Sequence, residues 1–325
     1  MVERDLVIVG GGSAGMAAAI SARENGVKDI LLLERDQYLG GLLNQCIHTG
    51  FGVDYFKEVL TGPEYADRFI KKLKGIERIE ISLKSMVARL TKDKVLTFFK
   101  PGKVIELKAK AIIMATGCRE KTREMIHIAG TRPAGVYSAG LAQKMINIEG
   151  FLPGNEVVIA GSGDIGLIMA RRFTFEGAEV KAIIEIQKQT KGLARNLIQC
   201  VEDFDIPVYY SYKILKIYGK GRVEGVSVVK VDDDFNEVPS SMFEIKCDTV
   251  LISVGLVPEN ELIEMAGVVL DEKTNTPVSD DLNKTSIHGL FVCGNAFKVY
   301  DLVDSVSKDS TIAGRLAAEY LRSIT

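Results

Sequence analysis

Leu6-Val7-Ile8-Val9-Gly10-Gly11-Gly12-Ser13-Ala14-Gly15 is an apolar run opening into a glycine-spaced turn, and Glu34 closes the next apolar run, Ile30 to Leu33. The pattern recurs at Val157-Val158-Ile159-Ala160-Gly161-Ser162-Gly163-Asp164-Ile165-Gly166, where Glu185 closes Val180 to Ile184. The acid follows the first glycine by 24 residues in both copies, and the glycine ending each intervening helix, Gly26 or Gly177, follows it by 16. Several independent spacings that agree twice read as two strand–helix–strand units of one kind.

Each copy has the physics of a dinucleotide site. Gly10 and Gly161 allow a tight turn out of the strand, Gly12 and Gly163 let backbone approach a pyrophosphate, and Gly15 and Gly166 let helix and strand pack closely. Ser13 and Ala14, like Asp164 and Ile165, open a helix whose free N–H groups and positive dipole end favour phosphate. Glu34 and Glu185 stand where a carboxylate accepts from ribose hydroxyls, roughly twenty residues beyond the glycines. The fold expected is α/β, with two Rossmann-like dinucleotide-binding domains.

A chain of 325 residues is long for one domain and comfortable for two, and an apolar fraction of 46% is ample for buried cores. Net charge is −2 with both signs mixed, so no electrostatic footprint for nucleic acid or anionic membrane is present. No apolar stretch approaches the ~20 residues of a membrane span. Met1-Val2-Glu3-Arg4-Asp5 enters a strand at once, which predicts no signal peptide and a cytoplasmic location. Cys46, Cys118, Cys200, Cys247 and Cys293 form no CxxC pair, and His48, His127 and His288 are equally scattered. Odd count and wide spacing suit a reducing compartment and argue against a metal site.

Between the copies, Leu39 to Gly52 is too rich in glycine for regular structure and too apolar for an idle surface loop. Pro63 to Lys74 has helical spacing in Tyr65, Phe69, Ile70 and Leu73, and Glu80 to Leu107 reads as short strands with a hairpin turn at Pro101-Gly102. Ala111 to Gly117 is a buried strand ending in Thr-Gly, and Cys247 to Val254 is another, ending at Gly255. Leu290 to Asn295 is a strand into a Gly-Asn turn. The last helix is expected from about Asp304 to Leu321, with Ile312, Leu316 and Tyr320 on one face.

Taken in order, Gly10 to Gly15, Glu34, Gly40-Gly41, Ala115-Thr116-Gly117, the second glycine motif, Gly255 with Pro258, and Gly294-Asn295 resemble the pyridine nucleotide–disulfide oxidoreductase superfamily over essentially the whole chain. The resemblance implies FAD on the first unit and NAD(P)H on the second. It implies a discontinuous FAD-binding domain, 1–120 and 256–325, with an NAD(P)-binding domain, 121–255, inserted. Further cofactor contacts are implied for Arg35, Gly41, Leu42, Gln45, Val87, Ala115, Thr116, Gly117, Gly255, Gly294, Asn295 and Val303. The start of the last helix, Val303-Asp304, would aim N–H groups at the flavin N1/O2 edge.

In size the chain is similar to thioredoxin reductase, with no room for the dimerisation domain of the longer members. The dithiol positions of the family fall on Leu43 and His48, or near Gly135 to Gly140, and carry no cysteine, so dithiol chemistry is not expected. The segments Gly40 to Gly52, Gly135 to Gln143, Ala115 to Glu120 and Cys293 to Asn295 are similar to FAD subunits of multi-subunit dehydrogenases. These include the small flavoprotein found with anaerobic-type glycerol-3-phosphate dehydrogenase and the alpha subunits of opine and amino-acid oxidising complexes. The resemblance implies hydride transfer between nicotinamide and flavin, and electron exchange with a partner dehydrogenase subunit that would oxidise glycerol 3-phosphate.

Glu185 favours NAD over NADP, because a carboxylate facing a 2′-phosphate is a like-charge contact costing several kcal/mol. Lys188, Lys191 and Arg195 could screen it, or form a solvated helix face. Cys46 and His48 are the candidate catalytic pair on the loop that, by resemblance, passes the flavin ring. Cys46 is a redox thiol, a flavin contact, or a small packed hydrophobe. His48 is a proton donor or a structural histidine. Asn295 replaces the usual aspartate, yet its amide oxygen can accept from a ribityl hydroxyl. Two other readings stay open: a stand-alone NADH oxidase or peroxidase using Cys46, and a non-catalytic subunit whose dinucleotides serve assembly or sensing.

Overall fold

The computed structural model describes residues 2–279 and 282–324. Its chain divides into two compact units, Met1–Arg119 with Val257–Thr325 and Glu120–Leu256. The α-helices among the described residues are α1 (Ser13–Glu24), α2 (Gly62–Lys74), α3 (Ala139–Asn147), α4 (Asp164–Phe175), α5 (Ala194–Cys200), α6 (Glu261–Met265) and α7 (Val303–Ser323).

In the first unit a parallel sheet runs in the order Ile79–Ser82, Ile30–Leu33, Val2–Val9, Lys103–Met114, Leu290–Val292. Residues on the first strand alternate between two cores. Leu6 and Ile8 face α1, α2 and α7, whereas Val7 and Val9 face the antiparallel strands Met86–Leu90 and Val95–Lys100 together with α6. Both faces are covered, which explains why these strands read as continuous apolar runs. The start of α2 is fixed by a capping box: Thr61 N–H donates to the Glu64 carboxylate at 2.7 Å, and Glu64 N–H to Thr61 Oγ1 at 3.4 Å.

One expectation needs correction here, and the last helix shows which residues make its contact. The last helix buries Val306, Ser307, Ser310, Ala313, Gly314, Ala317, Ala318 and Leu321, while Ile312, Leu316 and Tyr320 flank that stripe half-buried. The cause is close packing against the alanine-rich α1: a Cβ on Gly314 would lie 2.4 Å from the Ala18 carbonyl oxygen. Contrary to expectation, the Leu39 to Gly52 loop holds regular structure, a 3₁₀ turn at Gly41–Gln45 and a short strand Thr49–Phe51 paired with Leu60–Thr61. Gly40 and Gly41, at φ 114° and 54°, allow the chain to enter that turn, and Asn44 Nδ2 donates to the Leu39 carbonyl at 2.9 Å.

The second unit repeats the plan. Its parallel sheet runs Val136–Ser138, Thr249–Ile252, Glu156–Ala160, Glu179–Glu185, Val208–Tyr210; a second sheet joins Tyr212–Tyr218, Gly225–Val231 and Glu237–Lys246 antiparallel, with Ala129–Gly130 added in parallel at its edge. The registers match as well. Val9 pairs with Leu33 and Met114 in one unit, as Ala160 pairs with Ile184 and Ile252 in the other.

Candidate dinucleotide sites

Both glycine turns leave the sheet in the same way. Gly10 N–H donates to the Leu33 carbonyl and Gly161 N–H to the Ile184 carbonyl, each at 2.8 Å. Each first glycine has positive φ, 110° and 96°, which L side chains rarely adopt. A Cβ there would sit 2.3 Å from the Ala115 oxygen in one unit and 2.1 Å from the Ser253 oxygen in the other. A Cβ on Gly15 would meet the Gly10 oxygen at 1.7 Å, and one on Gly166 the Gly161 oxygen at 2.7 Å. Around Gly12 and Gly163, by contrast, nothing lies within 4 Å of the Cβ position. These two are the N-caps of α1 and α4, and neither helix has a side-chain cap. The first N–H groups of each helix have no intrahelical partner, so both turns offer an open anion cradle. The residues fit the pyrophosphates that the motif implies.

The two acids are buried beside their turns, Glu34 6% exposed and Glu185 5%. Glu34 Oε2 accepts from Gly11 N–H at 2.6 Å and Oε1 from Asp36 N–H at 2.8 Å. Glu185 Oε2 accepts from Ser162 N–H at 2.8 Å and from Ser162 Oγ at 2.6 Å, while Oε1 accepts from Gln187 N–H at 2.7 Å. The loop after each acid returns to its turn, through Gly40 N–H to the Gly11 oxygen and Gly192 N–H to the Ser162 oxygen. Asp164, at the first position of α4, points its carboxylate at this returning loop, accepting from Leu193 N–H at 2.8 Å and Asn196 Nδ2 at 2.7 Å. Beyond Glu185, Lys188 pairs with Asp233 at 2.7 Å; both side chains are exposed.

The first unit gathers several of its candidate residues about one cradle. A Cβ on Gly41 would approach Gly12 Cα at 3.2 Å, and one on Gly294 would approach Ala14 Cβ at 2.8 Å. Arg35 is exposed, Leu42 exposed, Gln45 buried, and Val87 buried in the strand Met86–Leu90. Thr116 Oγ1 donates to the Glu259 carbonyl at 2.8 Å, and Glu259 N–H returns to the Gly117 oxygen at 3.0 Å. Asn295 Oδ1 accepts from Tyr300 N–H at 3.1 Å, and its Nδ2 donates to Cys118 Sγ at 3.5 Å. In the second unit, Gly255 has φ 117°, the counterpart of Gly117 at 75°.

Cys46 is buried, its thiol donating to the Leu42 carbonyl at 3.4 Å, and burial pushes its pKa up to about 12. His48 has Nδ1 3.1 Å from the Thr49 oxygen and its ring 5.0 Å from that of Phe51. The loop carrying both is tied to the last helix: Asp304, buried in the first turn of α7, accepts from Gly52 N–H at 3.1 Å and Asp54 N–H at 2.7 Å. Val303 opens that helix, whose N-cap Leu302 supplies no side-chain cap.

Sequence reasoning missed several supporting groups. Asp309, also on α7, accepts from Gly294 N–H at 2.8 Å and Asn283 Nδ2 at 2.9 Å, and burial raises its carboxyl above the ordinary range. In the second unit both oxygens of Glu120 lie 2.8 Å from Gly140 N–H, at the start of α3. Ser162 was visible as the one difference between Gly-Gly-Gly and Gly-Ser-Gly. Asp309 left only the faint signal of an acid inside a stripe of small residues.

Two dinucleotide-binding lobes, each with a glycine turn and a strand-end carboxylate, define a two-Rossmann oxidoreductase of pyridine nucleotides. A family model for the pyridine nucleotide-disulphide oxidoreductases matches residues 4–309, and the chain belongs to that family. Its two lobes have the fold of the FAD- and NAD(P)-binding members, and none of its five cysteines forms a disulfide. The hydrogen cyanide synthase protein HcnB of Pseudomonas protegens, a subunit by name, is 26% identical over 284 residues, 81% of this chain and 58% of that protein. An opine oxidase subunit of Agrobacterium tumefaciens is 24% identical over 344 residues, 97% of this chain and 64% of that protein. The chain thus spans about three fifths of the length of these curated relatives. The fold is shared with the crystal structure of T. acidophilum thioredoxin reductase, at TM-score 0.77 and 24% identity over 100% of both chains. No helix among the described residues is long and apolar enough to cross a membrane, and none of their His, Cys, Asp and Glu side chains group as metal ligands.

Proposed function

We propose that this chain is the FAD- and NAD-binding subunit of a multi-subunit dehydrogenase, passing hydride between NAD(H) and a partner subunit that oxidises a substrate of the glycerol 3-phosphate kind. The carrying observation is the twice-built site: two glycine turns with open helix N-termini, each backed by a buried carboxylate. In the first unit Gly12, Ala14, Gly41 and Gly294 would cradle the FAD pyrophosphate and Glu34 its adenosine ribose. In the second, Gly163 and the start of α4 would take the NAD pyrophosphate and Glu185 its ribose. When bound, the two cofactors supply the hydride chemistry; the protein supplies orientation and electrostatics.

NAD is favoured over NADP because Glu185 is a buried acid and Lys188, the first base after it, is engaged by Asp233. HcnB and the opine oxidase relative both bear the names of subunits, which supports a partner. The protonated thiol of Cys46 supports an electron-transfer role over an oxidase built on that cysteine.

Anaerobic titration of the flavin-loaded protein with NADH tests the reading. Expected is about one NADH consumed per flavin, the capacity of the flavin alone, with NADPH much the poorer reductant. Consumption of about two would mean a second redox centre, and none would leave an idle cofactor; either defeats the proposal. Co-purification with a substrate-oxidising subunit tests the partner.

A further inference from the structure

The two strand-end carboxylates differ in one respect that bears on ligand exchange. A carboxylate oxygen accepts about two hydrogen bonds. Each oxygen of Glu34 takes one backbone N–H from the described residues, leaving one acceptor position on each, which suits the two neighbouring hydroxyls of a ribose. On Glu185, Oε2 already takes both the N–H and the hydroxyl of Ser162, and Oε1 takes Gln187 N–H. One acceptor position is left, on Oε1.

Ser162 is held to this task. It is fully buried, and its carbonyl accepts from Thr190 Oγ1 at 2.7 Å and Gly192 N–H at 3.2 Å, so the backbone that aims the hydroxyl is fixed from the far side. The first unit has no room for such a side chain. A Cβ on Gly11 would lie 2.5 Å from Leu39 Cδ2 and 2.9 Å from Glu34 Oε2.

We infer that Ser162 sets the nucleotide affinity of the second unit: its hydroxyl occupies the position on Glu185 that a second ribose hydroxyl needs, so Glu185 takes one ribose hydroxyl where Glu34 takes two. The inference rests on the reading that the second unit binds NAD(H). It gives the same fold two affinities, one for a cofactor that stays and one for a nucleotide that leaves at every turnover. A 2.6 Å hydrogen bond to a buried carboxylate is charge-assisted and among the stronger kinds, so an incoming hydroxyl displaces it only at a cost in affinity.

The test uses the oxidised, FAD-loaded protein and NAD⁺, which cannot reduce it, with affinity measured calorimetrically. Ser162→Ala is expected to tighten NAD⁺ binding about tenfold, the worth of one hydrogen bond to a charged group. Ser162→Gly, which copies Gly11, does the same and serves should the alanine variant fold poorly. A gain of affinity is not what a merely structural serine produces on removal. The 2′-deoxy and 3′-deoxy adenosine analogues of NAD⁺ give a second readout. In the native protein one of the two binds as well as NAD⁺, whereas in Ser162→Ala both bind more weakly than NAD⁺. Unchanged or weaker NAD⁺ binding in both variants overturns the inference alone. Failure of the native protein to bind NAD⁺, or indifference of that binding to Glu185→Gln, overturns the functional reading beneath it.

Discussion

Cys46, Cys247 and Cys293 carry thiols that burial pushes up to about 12, so at neutral pH each is a protonated, apolar-like group. For Cys46 we propose packing or flavin contact over a redox role, because a nucleophilic role needs the thiolate. A glycine-rich loop does not by itself bury a thiol. The burial follows from Gly62, whose N–H donates to the Cys46 carbonyl at 2.9 Å and whose missing side chain leaves space for the Cys46 Cβ. A pH dependence follows with a definite sign. The folded pKa lies above the unfolded value of about 8.5, so the stabilisation is intact below about pH 8.5 and is lost as pH rises toward 12. Within that window each thiol should remove about 1.4 kcal/mol per pH unit. Denaturant midpoints measured from pH 8 to 11 should fall steeply, and replacing the buried cysteines with alanine should flatten the slope; a slope unchanged by the replacements would refute the assignment.

Helices α1 and α7 make the most extensive helix–helix contact of the first unit, and their close approach at Gly314 comes from small residues rather than large apolar ones. Periodicity points to Ile312, Leu316 and Tyr320 because hydrophobicity, not size, dominates such a reading. Ala313, Gly314, Ala317 and Ala318 weigh little on that scale, yet they are what lets the backbones approach. Gly314→Ala would place a methyl group 2.4 Å from the Ala18 oxygen, forcing the helices apart. The expected cost is about 1–3 kcal/mol, read as a lower denaturant midpoint, together with weaker FAD retention on gel filtration, since α1 opens at the glycine turn. A variant as stable as the native protein, with FAD fully retained, would show that the pair can relax freely. Asp304 acts between the same helix and the Gly50 to Asp54 loop. Its two backbone donors lie on a loop 250 or more residues earlier in the chain, a contact no local pattern could announce.

The duplication was legible because glycine turns are governed by local sterics: the strand, the turn, the helix and the acid lie within one short span and obey fixed spacings. The hydrogen bonds around the carboxylates were not, because Gly40 and Gly192 reach the turns only after loops of their own. Connectivity carries a consequence for folding. The second unit is one continuous stretch, Glu120–Leu256, with its own cores on both faces of its parallel sheet. The first unit is closed only by late residues: Leu290–Val292 pairs with Ile112 to Met114, and α7 covers α1. A polypeptide of residues 120–256 alone should therefore fold, unfold cooperatively and bind NAD⁺ without FAD. Residues 1–119 alone should lack stable tertiary structure, because the Ile113 and Ala18 faces would stand exposed and the FAD cradle would have no Gly294. Near-UV circular dichroism and nucleotide calorimetry on the two fragments check this. A folded, FAD-binding 1–119 fragment, or an unfolded 120–256 fragment, would show that the units do not divide the stability as their cores do.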